Sequence, residues 1–334
     1  MQREPHWLTA LKRQGSAFLS CVDSHRVEEA TRVADELTRR NDEFSSNPSE
    51  GRGTPYRQAQ INMSVRSTGI HGLLSKFDFE PEMDGQVQII VDLLGGDGLI
   101  ARLLRGRRNG QYRDAVLTSD VSDDMVRAAI RHGLPAIRQA AQYLALREES
   151  FDGVLLAYGT HHIPPLARGL ACAEAFRILK SGGQLVLHDF PSGSPVARWF
   201  SDVVHRYSKT GHDHEHFDAG ALRALFAYAA FGDTTVTMLY DPFVVTAPTP
   251  DLARTALGEY LLDMYGLELL SEEMGRKAAI AHAFELAHDC FRYDYGVLGL
   301  PCDFGASTSV AVSTSSGVRL ECPRVAIVAT GVKP

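Results

Sequence analysis

The segment Asp92-Leu93-Leu94-Gly95-Gly96-Asp97-Gly98 constrains the fold more than any other stretch of this chain. It ends an apolar run over residues 87–94 and precedes a helical pattern over 98–106. A strand that runs into clustered glycines before a helix reads as the first turn of a parallel βα unit. Glycine lets the backbone pass close to a ligand there, and the helix start offers free N–H groups. Further strand-like runs at 115–118, 153–157 and 184–188 alternate with helical stretches at 123–132 and 165–179. Such alternation predicts an α/β, Rossmann-like doubly wound sheet covered on both faces, with the last strands at 234–239 and 324–330.

Two segments lie outside this alternation. Ahead of it, Val27, Ala30, Ala34 and Leu37 recur on one helical face, and the turn-rich residues 45–55 predict a mobile loop. Between the last two strands, helices are expected at 251–265 and 272–291, the second burying Ile280, Phe284, Ala287 and Phe291, followed by a hairpin over 307–318. The expected organisation is a helical N-terminal lid at 1–85, a core at 86–245, a helical and hairpin insertion at 246–320, and the last core strand at 321–334. The insertion reads as a second lid or as the contact of a homodimer.

Composition narrows the partners. Hydrophobic residues make up 44% and charged residues 22%, the mixture of an ordinary globular protein. A formal net charge of −7 provides no basic footprint for nucleic acid or an anionic membrane. No stretch approaches the roughly 18 apolar residues that would span a bilayer, and Met1-Gln2-Arg3-Glu4-Pro5-His6-Trp7 has no apolar leader. The five cysteines are scattered and never spaced Cys-x-x-Cys, which suits reduced cytoplasmic thiols. The expectation is a cytoplasmic protein with a small-molecule partner, no nucleic acid and no membrane.

The glycine loop alone admits two ligands. Gly96-x-Gly98-x-x-Ala101 satisfies the dinucleotide pattern, so an NAD(P)-dependent oxidoreductase stays open on this segment. Asp120, at the end of the next strand, lies where an acidic side chain can grip ribose hydroxyls.

Three later segments carry a resemblance. They are Asp120-Val121-Ser122-Asp123-Asp124-Met125, then Ser150-Phe151-Asp152-Gly153-Val154 with Tyr158-Gly159-Thr160-His161-His162-Ile163, and Leu179-Lys180-Ser181-Gly182-Gly183-Gln184-Leu185. With the glycine loop they stand in family order, and across residues 88–245 the chain resembles the class I S-adenosylmethionine (SAM)-dependent methyltransferases. The resemblance implies SAM as cofactor. It implies that Asp92 and the backbone of Gly95, Gly96 and Gly98 line the methionine and ribose part, and that Asp120 takes the ribose hydroxyls. Val121 and Met125 would lie against the adenine, with the Ala141 backbone or the Gln142 amide as its polar contact. Tyr56, Arg57 and Arg66 would reach the cofactor from the N-terminal segment. The sequence departs from the family at Leu94, where a glycine is usual, and at Ala140, where an acid is usual.

Ligands of such sheets sit beyond the carboxyl ends of the strands. That rim receives Tyr158, His161 and His162 from the fourth strand and His188 and Asp189 from the fifth. A tyrosine face can hold a sulfonium by cation–π attraction, and an imidazole can take a proton at neutral pH. Tyr158, His161, His162 and Asp189 are therefore the candidate catalytic residues. His212-Asp213-His214-Glu215-His216 would put three imidazoles on one side of an extended segment, a candidate metal face. A solvated loop or an acceptor-lining segment before a helix at 221–230 is the stronger expectation, so no metal is assigned.

The function implied is a small-molecule methyltransferase of specialised metabolism. A second reading keeps the fold and makes SAM the substrate, as in the azetidine-2-carboxylate synthases, where the α-amine attacks the γ-carbon and expels methylthioadenosine. The bulk of Leu94 in a glycine position suits that reading.

Overall fold

The computed structural model describes residues 4–40, 42–47, 51–77, 88–105, 116–315 and 317–334. Residues 48–50 of the turn-rich loop, position 87 and position 115 at two expected strand starts, position 106 at a helix end, position 316 of the expected hairpin and the 85/86 boundary lie outside the described residues.

The core is a seven-stranded sheet. Its strands are β1 (Ile90–Asp92), β2 (Val116–Asp120), β3 (Ala136–Arg138), β4 (Phe151–Ala157), β5 (Leu179–Asp189), β6 (Gly232–Tyr240) and a late strand, β10 (Val325–Val332). They lie in the order β3-β2-β1-β4-β5-β10-β6. The first five pair in parallel, and β10 slots antiparallel between β5 and β6. β1 is buried throughout and β4 nearly so, as helices on both sheet faces demand. β6, at the sheet edge, instead alternates between half-buried and exposed along most of its length.

Before the sheet come α1 (His6–Gln14), α2 (Val27–Arg40), α3 (Gly53–Ala59) and α4 (Ser67–Leu74). Ala30 and Ala34 of α2 are fully buried, as their spacing required. The turn-rich segment differs from the expected mobile loop. Arg52 and Gly53 donate backbone hydrogen bonds to Glu43 and Ser45, pinning the segment, and α3 begins inside it. Backbone pairing across the turn outweighs the local preference of Ser, Gly and Pro for irregular chain.

Crossing helices α5 (Leu99–Arg105), α6 (Asp123–Arg131) and α7 (Pro165–Ile178) cover the sheet. After β5 the chain forms α8 (Pro195–Trp199), passes through a π turn at Phe200–Val204 into α9 (His205–Tyr207), and later forms α10 (Ala219–Tyr228). The Asp218 side chain caps α10 by accepting from Ala221 N.

The chain leaves the core after β6 and returns just before β10. Between them lie β7 (Phe243–Ala247), α11 (Pro250–Met264), α12 (Glu268–Met274), α13 (Arg276–Cys290), β8 (Val310–Thr314) and β9 (Gly317–Cys322). β7, β9 and β8 make a separate antiparallel sheet. The helix expected at 272–291 is two helices, broken at Gly275, whose φ of 79° only glycine adopts at low cost. The excursion departs and re-enters at neighbouring points: Tyr240 pairs with Val325 in one sheet, and Phe243 pairs with Cys322 in the other. Asp241 and Arg324 stand at that junction.

Candidate active site

The strand order reverses between β1 and β4, so a crevice opens at the carboxyl ends of these strands. The glycine loop lies at its mouth. Gly95 N–H donates to Ser119 O at 2.8 Å, and a Cβ there would come within 2.8 Å of Thr118. Gly98 has φ +85°, and a Cβ would fall 2.1 Å from Leu134. Both glycines are thus required by packing beneath the loop. Gly96 differs: at φ +55° its open side faces the Tyr56 ring, 3.9 Å from where a Cβ would be. Gly96 and Tyr56 therefore form two sides of a slot.

Two carboxylates close that slot. Asp92 is buried, and its Oδ1 has no hydrogen-bond partner. Burial raises its carboxyl to about 7. Asp120 accepts from Gly96 N and from Ser122 N, both at 2.9 Å, and burial raises it to about 6. A buried carboxylate oxygen without a donor is costly. A ligand carrying an ammonium group or hydroxyls would supply the missing donor, which fits the groups that SAM presents.

Next to the loop lies a cavity of about 240 Å3. Leu93, Leu94, Val121 and Gln139 through Gln142 line one side, Leu37, Thr38 and Asp42 through Phe44 another, and His162, Ile163, Pro164 and His214 the far end. Val121, Ala141 and Gln142 accordingly face the cavity. Met125 does not line it and is packed in the core as part of α6. Met125 follows the helical period of α6, whose inward face also takes Val126, Ala128 and Ala129.

Tyr158 follows β4 at φ +63°, a conformation unusual for a side chain of this size. The Arg66 guanidinium lies 3.8 Å from the Tyr158 ring centroid, and the His188 ring, tilted by 47°, 4.1 Å from it, so the ring already contacts both. Arg66 is itself buried, whereas Arg57 reaches only Thr54 through its Nη2. The Tyr158 hydroxyl donates to Asp241 at 3.2 Å, and Asp241 also accepts from Arg324 at 2.7 Å. Burial would raise the Asp241 carboxyl, but Arg324 and His188 outweigh it and hold it low.

Five imidazoles gather at the other end. His161 and His162 sit in a 3-10 turn, Thr160–His162, and the segment 212–216 brings His212, His214 and His216 against them. Two devices position the segment. A bridge between Pro191 and Phe217 docks it beside the end of β5, and Arg168 donates to Ile163 O, His161 O and Glu215 O. Asp189 is fully buried and accepts from His161 Nδ1 at 2.9 Å and from His216 Nδ1 at 3.3 Å. It also accepts from the backbone of His161 and Phe190, so both of its oxygens have partners within the fold. Burial would raise Asp189, but His161 holds it well below the usual carboxylate range. Burial lowers His161 and His214 to about 4 each, so both rings are neutral at physiological pH.

Sequence reasoning singled out the loop, Asp120, Tyr158, His161 and His162. It missed Glu43, Arg168, Asp241 and Arg324. Each is a lone charged residue without a motif around it, and only burial reveals its role.

A methyltransferase domain model matches residues 91–187, less than a third of the chain. Among curated proteins, the ubiquinone/menaquinone biosynthesis C-methyltransferase UbiE of Edwardsiella ictaluri is 27% identical over 199 residues, 51% of this chain and 77% of that protein. The UbiE of Proteus mirabilis is 29% identical over 153 residues, and the match spans only 43% of this chain and 58% of that protein. Among solved structures, a possible histamine N-methyltransferase from Thermotoga maritima aligns with a TM-score of 0.47 at 16% identity, over 84% of this chain and 96% of that one. The matched region runs from β1 into β5, through the glycine loop, Asp120 and the histidine turn, and over these residues the chain is similar to methyltransferase domains.

Proposed function

We propose that this protein transfers the methyl group of SAM to a small molecule held between the glycine loop and the histidine cluster. One observation carries this reading. A single cavity is lined at one side by Leu94, Val121 and Ala140 to Gln142, and at its far end by His162 and His214. A cofactor end and an acceptor end would therefore share one space, which Leu37, Thr38 and Asp42 to Phe44 also line. That lining favours a small acceptor of specialised metabolism over a protein or nucleic acid.

SAM supplies a methyl group already activated by the sulfonium, so the protein's work is alignment and exclusion of water. Asp92 would hold the ammonium, Asp120 the ribose hydroxyls, and Gly96 and Tyr56 the walls between them. Val121, Ala141 and Gln142 would face the adenine. Neutral His161, or His162 in the cavity lining, would accept the proton of an attacking O–H or N–H group. The UbiE relatives methylate carbon, and an acceptor of that kind would also need a base at this rim.

A second reading has its own support. Asp92, raised to about 7 and lacking a donor at Oδ1, could take the proton of SAM's α-ammonium. That proton transfer is the one that closure to azetidine-2-carboxylate requires. Incubation of the protein with SAM alone, followed by mass spectrometry, separates the two. Unchanged SAM without an acceptor is the expected result. Rapid formation of methylthioadenosine would overturn methyl transfer in favour of cyclisation.

A further inference from the structure

Segments that lie far apart in sequence meet at the histidine cluster. The ring centroids of His161, His162 and His212 lie 4.3 to 5.4 Å from one another. One ring nitrogen from each lies within 4.8 Å of those of the other two. Behind them stand two carboxylates. Asp189 holds His161 through Nδ1, and Glu43 lies 3.0 Å from Nδ1 of His162. His161 Nε2 and His212 Nε2 are buried and have no hydrogen-bond partner.

We infer that His161, His162 and His212 form a binding site for a divalent transition-metal ion, with zinc the ion that suits the set best. Asp189 and Glu43 orient two of the imidazoles so that Nε2 of each faces the ion.

The chemistry of the donors supports this directly. A buried ring nitrogen without a partner loses its solvation for nothing, and here three such atoms, Nε2 of His161, His212 and His216, lie in one cluster. A carboxylate bonded to one ring nitrogen fixes the tautomer and raises the basicity of the other, which is the usual support of a histidine ligand. Imidazole-only sets favour zinc and its neighbours over magnesium or calcium, which take oxygen. Three histidines leave a fourth position open, the arrangement of a site that also admits a substrate atom or water. Entry is available, because His162 and His214 line the cavity described above. His216 is also bonded to Asp189 through Nδ1 and also has a buried, unpartnered Nε2, but its nitrogens are not among those that meet with His162 and His212, so it is not counted as a ligand. A bound ion would occupy the nitrogens of His161 and His162, so it would take over from them the activation of the acceptor; the inference does not rest on the identity of the transferred group.

Zinc chloride titration of chelator-treated full-length protein, against a chromophoric competitor, tests it. One zinc per chain is expected. Asp189→Asn should lower the affinity by ~10–100-fold while keeping the stoichiometry. His212→Ala should lower it further, and His25→Ala, on the exposed surface, should leave it unchanged. Because His212→Ala could also unfold the chain, X-ray absorption of the zinc-loaded unaltered protein provides a second measurement. A shell containing three imidazoles supports the site. No stoichiometric zinc, an affinity insensitive to both cluster variants in folded protein, or a shell of sulfur or oxygen only would overturn it.

Discussion

Asp92 carries an unusual charge balance. Its carboxyl titrates near 7 in the folded chain against an ordinary value of 3.8. Between those values the folded state binds more protons than the unfolded one, so this group costs stability as pH rises from about 4 to about 7. A cationic partner reverses the balance by favouring the ionised form. SAM affinity should therefore increase from about pH 6 to about pH 8, with a proton released on binding. Calorimetry in buffers of different ionisation heat reads this directly. Asp92→Asn should flatten the profile and weaken binding by roughly 10–100-fold, the worth of a charged hydrogen bond of ~1.5–3 kcal/mol. A pH-independent affinity in the unaltered protein would remove Asp92 as the ammonium's partner. Residues of this kind were legible in the sequence because their evidence is local. Asp92, Gly96 and Asp120 sit at fixed offsets from strand ends. Asp189 was found for the same reason, but position at a strand end does not reveal that its oxygens are engaged by His161, His216 and Phe190.

Among the elements, α3 and α11 are tied by one side chain. Arg52 donates to Glu43 at 2.7 Å and to the carbonyl of Met264, at the end of α11, at 2.6 Å. It is buried, and its guanidinium also lies over the Phe44 ring. Arg52→Ala would leave the half-buried Glu43 carboxylate with His162 as its neighbour and would cost ~1.5–3 kcal/mol for the lost charged hydrogen bonds. The same change should speed proteolysis near residues 42–47, which Arg52 holds through Glu43. A melting temperature within error of the parent protein would show that Arg52 holds nothing. This strap was not legible in the sequence: Ser, Gly and Pro dominate residues 45–55 and mask a pinned turn. The break at Gly275 was equally hidden, because the helical pattern continues on both sides of it. The His212 to His216 segment was visible as spacing, but its meeting with His161 depends on the docking of Phe217 beside Pro191, a contact between distant residues.

At the scale of the whole molecule, the site is assembled from separate stretches: residues 37–44, the glycine loop, 139–142 and the histidine segments. SAM at about 100 times its Kd should stabilise the folded chain by ~2.7 kcal/mol. Hydrogen exchange should then slow in residues 37–44 as well as in the loop and 139–142. Protection confined to the loop would exclude the N-terminal helices from the site. The central position of β10 has a further consequence, for how the chain is made. β5 and β6 have no partner on their facing sides until residues 325–332 arrive, with 135 residues of chain intervening after the end of β5 and 84 after the end of β6. During synthesis both therefore present open strand edges, next to the half already closed from β3 to β5. A ribosome that pauses within α11 to β9 holds a nascent chain with two templates for mispairing, and closure of the sheet waits for its last strand.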